Sequence, residues 1–215
     1  MKIKNDGAEQ QIIELIQGSE MEQGSSMIHT QKQDVKLHTV FFDEPIGEPK
    51  KYRDIIRLLF QADQNDQFIF MINSPGGYLT TALAIIEGIK SSEANVQAVL
   101  IGECHSAASI LALNCHNIVV TDAAHVLVHS ASFGTGGTII NVQKHADFST
   151  KSISRIIEET YLGFLTDVEL KELKNGVEFW FDSKEIGKRL ETRMKYLTEK
   201  HTKKSPKAKK VITVD

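Results

Sequence analysis

Excess charge, paired cysteines and long apolar runs are all scarce in this chain, and each shortage excludes a class of protein. Twenty-five basic against 28 acidic residues leave a formal net charge of −3 over 215 residues. That balance builds no broad field for a polyanion, so nucleic acid is not an expected partner. There are two cysteines, Cys104 and Cys115, and no Cys-x-x-Cys pair, which excludes a disulfide framework and gives no zinc or redox motif. A reducing cytoplasm fits this usage. No stretch approaches the roughly 18 apolar residues that would span a bilayer, and the N-terminus is polar where a signal peptide needs an apolar core. No membrane association is expected.

What remains is an ordinary globular balance, 41% apolar and 25% charged, enough for one core with tails. Residues 1–33 read as a polar leader, flexible or a propeptide, with one apolar patch at Ile12-Ile13-Glu14-Leu15-Ile16 and a joint at Gly24-Ser25-Ser26. Residues 34–198 form the expected domain. From about Glu199 to the end the chain turns basic and loses periodicity, the signature of a solvated, disordered tail.

Within the domain, strands and helices alternate. Leu37 to Phe42 has strand composition, and Ile55, Ile56, Leu58, Leu59 and Phe60 suit an amphipathic helix. Phe68 to Ile72 is a continuous apolar run of the kind buried on both faces of a parallel sheet, and Asn73-Ser74-Pro75-Gly76-Gly77 ends it. Leu79, Ala82, Leu83, Ile86 and Ile89 recur at helical spacing, and Val96 to Ile101 is a second buried strand. A short helix over Ala108 to Leu113 and strands at Ile118 to Val120 and Val126 to Val128 follow. The result is an α/β fold with a mostly parallel sheet, whose ligands gather outside the strand carboxyl ends. Residues 138 to about 165 read as a long helix. Thr166-x-x-Glu169 has capping-box spacing for another, ending near Gly176, and Asp182-Ser183-Lys184-Glu185 starts the last.

The chemistry centres on Ile101 to Ala112. Small residues surround Ser109 between an apolar strand and a helix-like run, so Ser109 is expected at a strand-to-helix turn as a nucleophile. A serine hydroxyl needs a base, a group to orient that base, and donors for the oxyanion. His129 closes the strand Val126-Leu127-Val128 and is the candidate base, with His105 as a rival close in sequence. Gly77, in an unhindered Gly-Gly after a strand, and Ile110, at the start of the following helix, are the candidate oxyanion donors.

Three pieces, Met71 to Gly77, Gly102 with Ser106-Ala107-Ala108-Ser109, and Val126 to His129, resemble the signatures of the Clp protease proteolytic subunit in order and spacing. Similarity runs from about Thr39 to Leu197. The resemblance implies the crotonase/Clp-protease-like fold of repeated β-β-α units with a projecting long helix, assembled in stacked rings. It implies a serine endopeptidase that needs no cofactor or metal, with Ser109 as nucleophile, His129 as base, and the amides of Gly77 and Ile110 as oxyanion hole. Gly136 and Gly137 would lie on a strand that pairs with extended substrate, and the helix after them would build subunit contacts. Where the bacterial housekeeping enzymes carry an aspartate before an aromatic residue, this chain has Glu178, with Asp182 and Asp147 as competitors for the acid. The forms Ser106-Ala107-Ala108-Ser109-Ile110 and Glu178-Phe179-Trp180-Phe181 look more like bacteriophage and prophage relatives, associated with capsid maturation. Substrates are then proteins or peptides, and partners an AAA+ unfoldase or a capsid protein, in the host cytoplasm if the chain is viral. The alternatives are a non-catalytic ring or assembly subunit of the same fold, and a crotonase-type acyl-CoA enzyme.

Overall fold

In the computed structural model of the chain, residues 28–31 and 36–204 are described. The apolar patch at Ile12 to Ile16, the Gly24-Ser25-Ser26 joint and the tail from residue 205 lie outside them. The long apolar run becomes β3 (Gln67–Ser74), flanked in parallel by β2 (Leu37–Phe42) and β4 (Asn95–His105). Between them stand α1 (Arg53–Gln61) and α2 (Leu79–Ser91), each crossing from one parallel strand to the next. Such crossovers cover the sheet, which is why the middle of β3 is buried at five successive positions.

The eleven-residue β4 is long enough for two successive partners along one edge. Its first half pairs in parallel with β5 (Asn117–Val120), from Gln97 opposite Asn117 to Leu100 opposite Val120. Its last residues, Glu103 to His105, pair in parallel with β6 (His125–Val128). Between β4 and β5 lies α3 (Ala107–Leu113), all seven residues of which are buried. The order is β1-β2-β3-β4-β6-β7, with β5 on β4. Antiparallel edges close it: β1 (Ile28–Gln31) against β2 and β7 (Phe179–Asp182) against β6.

These two edge strands differ from the expectation. Ile28–Gln31, within the supposed leader, is a strand, and Phe179–Asp182 is a strand where only the start of the last helix, at Asp182, was expected. The last helix, α6 (Ser183–Lys204), runs through Glu199, where the basic tail was expected to begin. The capping box is present as expected: Thr166 and Glu169 bond reciprocally at the start of α5 (Asp167–Lys174).

The core lies on the helical face of the sheet, where Phe68, Phe70, Ile72, Ile85, Ile86, Leu111 and Tyr161 are fully buried. The long helix α4 (Ile139–Tyr161) joins this core through its C-terminal half, where Ile157, Thr160 and Tyr161 are buried and Ile153 and Ile156 pack against it. Ile139, Ile140 and Phe148, on the remainder, are exposed. Among the described residues no helix is long and apolar enough to cross a membrane.

Two arginines of α6 tie these late elements together. Arg189 forks onto Glu169 at 2.7 and 2.9 Å, donates to the Phe164 carbonyl at 3.0 Å, and stacks 4.0 Å over the Phe181 ring. Arg193 donates to the carbonyls of Leu113 (3.2 Å), Leu162 (2.9 Å) and Thr160, the chain ends of α3 and α4. The Arg189 hydrogen bonds hold the Glu169 carboxyl down at about 2, against an ordinary 4.5. A carboxyl depressed on folding contributes stability that is present above its unfolded value and lost as pH falls through its folded one. The thermal midpoint should therefore drop as pH is lowered from about 4.5 to about 2. Arg189→Met should cost about 2 kcal/mol at neutral pH and flatten that drop, which calorimetry across the range would measure.

Candidate active site

β4 delivers the chain to a turn at Ser106 whose backbone, φ 54° and ψ −123°, lies where L-residues are strained. It is the one non-glycine residue with positive φ among those described. The conformation is held from both sides. The Ser106 N–H donates to the Leu127 carbonyl of β6 at 2.9 Å, and the Ser106 carbonyl accepts from the N–H groups of Ser109 (3.0 Å) and Ile110 (3.2 Å). A serine on a sharp strand-to-helix turn presents its hydroxyl at the mouth of the sheet, the geometry of a nucleophile elbow.

This corrects two expectations. Ser109 is not at the turn; it is the third residue of α3, 1% exposed, with its Oγ on the Ser106 carbonyl and the Tyr161 hydroxyl, each at 2.7 Å. It also lines a small apolar void with Leu100, Cys104, Leu113, Val126 and Phe164, behind the turn. Ile110 cannot serve an oxyanion while its N–H closes the first turn of the helix. The equivalent unbonded donor is the N–H of Ala107, since the first N–H groups of a helix have no intrahelical acceptor.

Asn73 to Gly77 forms the opposite wall. The Ser74 hydroxyl donates to the Glu44 carbonyl at 2.7 Å and accepts from the Gly76 N–H at 3.2 Å, while the Asn73 amide oxygen accepts from the Glu103 N–H at 3.0 Å. Gly76 and Gly77 have φ of 92° and 143°, and Ile46 bridges to them through the Gly76 carbonyl and the Tyr78 N–H. That bridge makes no use of the Gly77 N–H. A Cβ on Gly76 would stand 2.6 Å from the His105 carbonyl and 3.1 Å from the Ala107 nitrogen, so this loop abuts the Ser106 turn.

The candidate base and acid come from the far side. Antiparallel pairing of β6 with β7 sets Val128 against Phe179, which brings the next residues, His129 and Glu178, opposite each other. His129 Nδ1 lies 3.9 Å from Glu178 Oε1, an ion-pair distance longer than a hydrogen bond. The competitors are engaged elsewhere. Asp182 accepts from the Glu185 N–H at the start of α6, and Asp147 accepts from Gln143 on the exposed part of α4. His105 is buried edge-on against His125 and Trp180, and burial lowers its pKa. Gly136 and Gly137, expected on a strand, fall instead in an exposed irregular segment between β6 and α4. Among the described residues no group of three or more His, Cys, Asp or Glu could hold a metal ion.

Ser106 is the functional candidate that the sequence reading passed over. Composition does not separate it from Ser109; the observed helix start at Ala107, which puts Ser106 at the N-cap position, does. With Ser106 on a strained turn, an imidazole just past the end of β6 and a carboxylate just before β7, and two amides beside the turn, the arrangement suits nucleophilic acyl transfer.

Comparison with known proteins bears on the same region. The family model described as Clp protease matches residues 22–186. The chain is 30% identical over 135 residues to the ATP-dependent Clp protease proteolytic subunit 1 of Chlamydia pneumoniae, a match covering 60% of this chain and 70% of that protein. It is 28% identical over 160 residues to subunit 2 of Bifidobacterium longum, covering 70% of this chain and 75% of that one.

The glycine wall yields a check independent of chemistry. Gly77→Ala would set a Cβ 2.3 Å from the Ile46 carbonyl oxygen at a φ of 143°. It should lower stability by about 2 kcal/mol or more in denaturant titration. Gly136→Ala, with nothing within 4 Å, should leave the midpoint unchanged.

Proposed function

Because this chain belongs to the Clp protease family of serine-type peptidases, we propose that it is an endopeptidase whose triad is Ser106, His129 and Glu178. The N–H groups of Gly77 and Ala107 are its oxyanion hole. The observation that carries this reading is the strained Ser106 turn, with Ala107 beginning the helix behind it. Ser106 thus takes the role first given to Ser109, and Ala107 that of Ile110.

Glu178 faces His129 Nδ1 and so leaves Nε2 for the serine. His129 Nε2 accepts the Ser106 proton as Oγ attacks the scissile carbonyl, and the resulting oxyanion lies on the two amides. Collapse expels the amine with the proton from His129, leaving an acyl-enzyme. Water then repeats the sequence, its proton passing to His129 and returning to Ser106. The carboxylate fixes the imidazole tautomer and stabilises its protonated form. A separation of 3.9 Å tightens to a hydrogen bond when substrate closes the site.

The exposed segment holding Gly136 and Gly137 is free to lie beside an extended peptide and gain backbone pairing there. Substrates are proteins or peptides. Assembly into stacked rings is supported by the long helix α4, whose Ile139, Ile140 and Phe148 are left exposed by the described residues. The name of the Chlamydia relative, an ATP-dependent subunit, favours an AAA+ unfoldase as partner. The Ser106 to Ile110 motif form favours a capsid protein. Either setting is cytoplasmic, that of the host if the chain is viral.

A fluorophosphonate reacts with a serine only where a base activates it and donors receive the phosphoryl oxygen. Intact-mass labelling followed by peptide mapping should place one label per chain on Ser106. Ser106→Ala and His129→Ala should each reduce peptide cleavage by at least about 10³-fold, and Glu178→Gln by about 10²-fold or more. A label on Ser109, or undiminished cleavage by Ser106→Ala, would overturn the assignment.

A further inference from the structure

The buried pair Ser109 and Tyr161 has no part in the chemistry above, yet it touches the peptide group on which that chemistry depends. Ser109 Oγ donates to the Ser106 carbonyl at 2.7 Å, so its single proton is spent there. The Tyr161 hydroxyl, 2.7 Å from the same Oγ, must then be the donor of that contact. Burial raises the Tyr161 pKa above its ordinary value, which keeps the phenol protonated and able to donate. The result is a directed chain: Tyr161 O–H to Ser109 Oγ, Ser109 O–H to the Ser106 carbonyl.

That carbonyl shares a planar trans peptide with the N–H of Ala107. In a trans peptide the two groups point in opposite directions. Three donors therefore draw the oxygen into the helix, namely the N–H groups of Ser109 and Ile110 and the Ser109 hydroxyl. The same pull aims the Ala107 N–H outward, to the side where Gly76 abuts it. Donation to the oxygen also withdraws charge through the amide, which makes its N–H the stronger donor. A serine that back-bonds to its own helix is common. Here the bond is continued by a tyrosine from another helix, and its acceptor is the strained residue itself.

We propose that Ser109 and Tyr161 are positioning residues of the oxyanion hole, a hydroxyl relay that fixes and polarises the Ser106–Ala107 peptide. The proposal rests on the reading of Ser106 as nucleophile and Ala107 as oxyanion donor. Because Tyr161 closes the C-terminal end of α4, the relay also joins the one buried end of that helix to the site. An interaction that strengthens only as the oxyanion forms acts on kcat and leaves KM alone.

The test is steady-state cleavage of a chromogenic peptide by the full chain and its variants, with fluorophosphonate mapping and thermal midpoints on the same samples. Ser109→Ala should lower kcat about tenfold at unchanged KM, a fraction of the loss from deleting an oxyanion donor outright. Ser109→Thr, whose extra methyl has the adjoining void to enter, should recover most of it. Tyr161→Phe removes only the relay's first oxygen and should lower kcat about threefold, again at unchanged KM. All three should still carry the label on Ser106. An unchanged kcat in folded Ser109→Ala, or equal losses in the Ala and Thr variants, would overturn the relay while leaving the nucleophile in place. If Ser109→Ala does not fold, Tyr161→Phe decides alone: an unchanged kcat overturns the relay. A label on Ser109, or turnover retained by Ser106→Ala, would instead bring down the underlying reading.

Discussion

The peptide joining β4 to α3 is held on both sides, and the rest of the molecule is arranged around that grip. On one side the Ser106 N–H is bonded across to β6; on the other its carbonyl takes three donors from α3. A residue at φ 54° does not rest there unaided, since such conformations cost of order 1–3 kcal/mol and persist only where neighbours over-determine them. The parallel pairing of β4 with β6 provides half of that constraint and the buried helix provides the other half. Gly76 fits between them because it has no side chain to displace the turn.

Distant elements support the same point through backbone caps. Arg193 gathers carbonyls at the ends of α3 and α4, so the helix that follows Ser106 and the helix that carries Tyr161 terminate on one guanidinium. Burial depresses its pKa only against a very basic starting point, and the three carbonyl oxygens offer it the partners that a carboxylate would otherwise supply. Arg189 does the corresponding work for α5 and β7, through Glu169 and the Phe181 ring. In consequence β7 is fixed in register, and register decides whether Glu178 meets His129 or faces away.

Much of this was legible in the residues themselves. Phe68 to Ile72 is apolar throughout and Val96 to Ile101 is apolar but for Gln97, a pattern suited to strands buried on both faces; the capping box at Thr166 announced its helix outright. Strand β7 was not legible, because Phe179-Trp180-Phe181-Asp182 is four residues long with no alternation to mark a face. The serine proposed as nucleophile lies one helical step before the one that the spacing suggested. Ser106 and Ser109 are separated by two alanines, either can precede a helix, and composition weighs them equally; what separates them is a backbone dihedral, which no side chain reports. The glycines at 134–137 suited an extended strand, but a strand needs a neighbour, and among the described residues none pairs with them.

The spread of these residues along the chain sets the order in which the site can come into being. The glycine wall lies at 73–77, the turn at 102–107, and the histidine at 129, each at the C-terminal end of a parallel strand, and these strands are laid down in succession. Glu178 arrives only with β7, which docks from beyond a 23-residue helix and closes one of the longest sequence separations in the sheet. Contacts of that span form late, since loop closure must be paid before they reward it. A chain emerging during synthesis thus holds Ser106 and His129 before β7 has brought Glu178 opposite the imidazole. On the triad proposed for it, a peptidase built in this sequence stays quiet towards neighbouring nascent chains until its own fold is nearly finished.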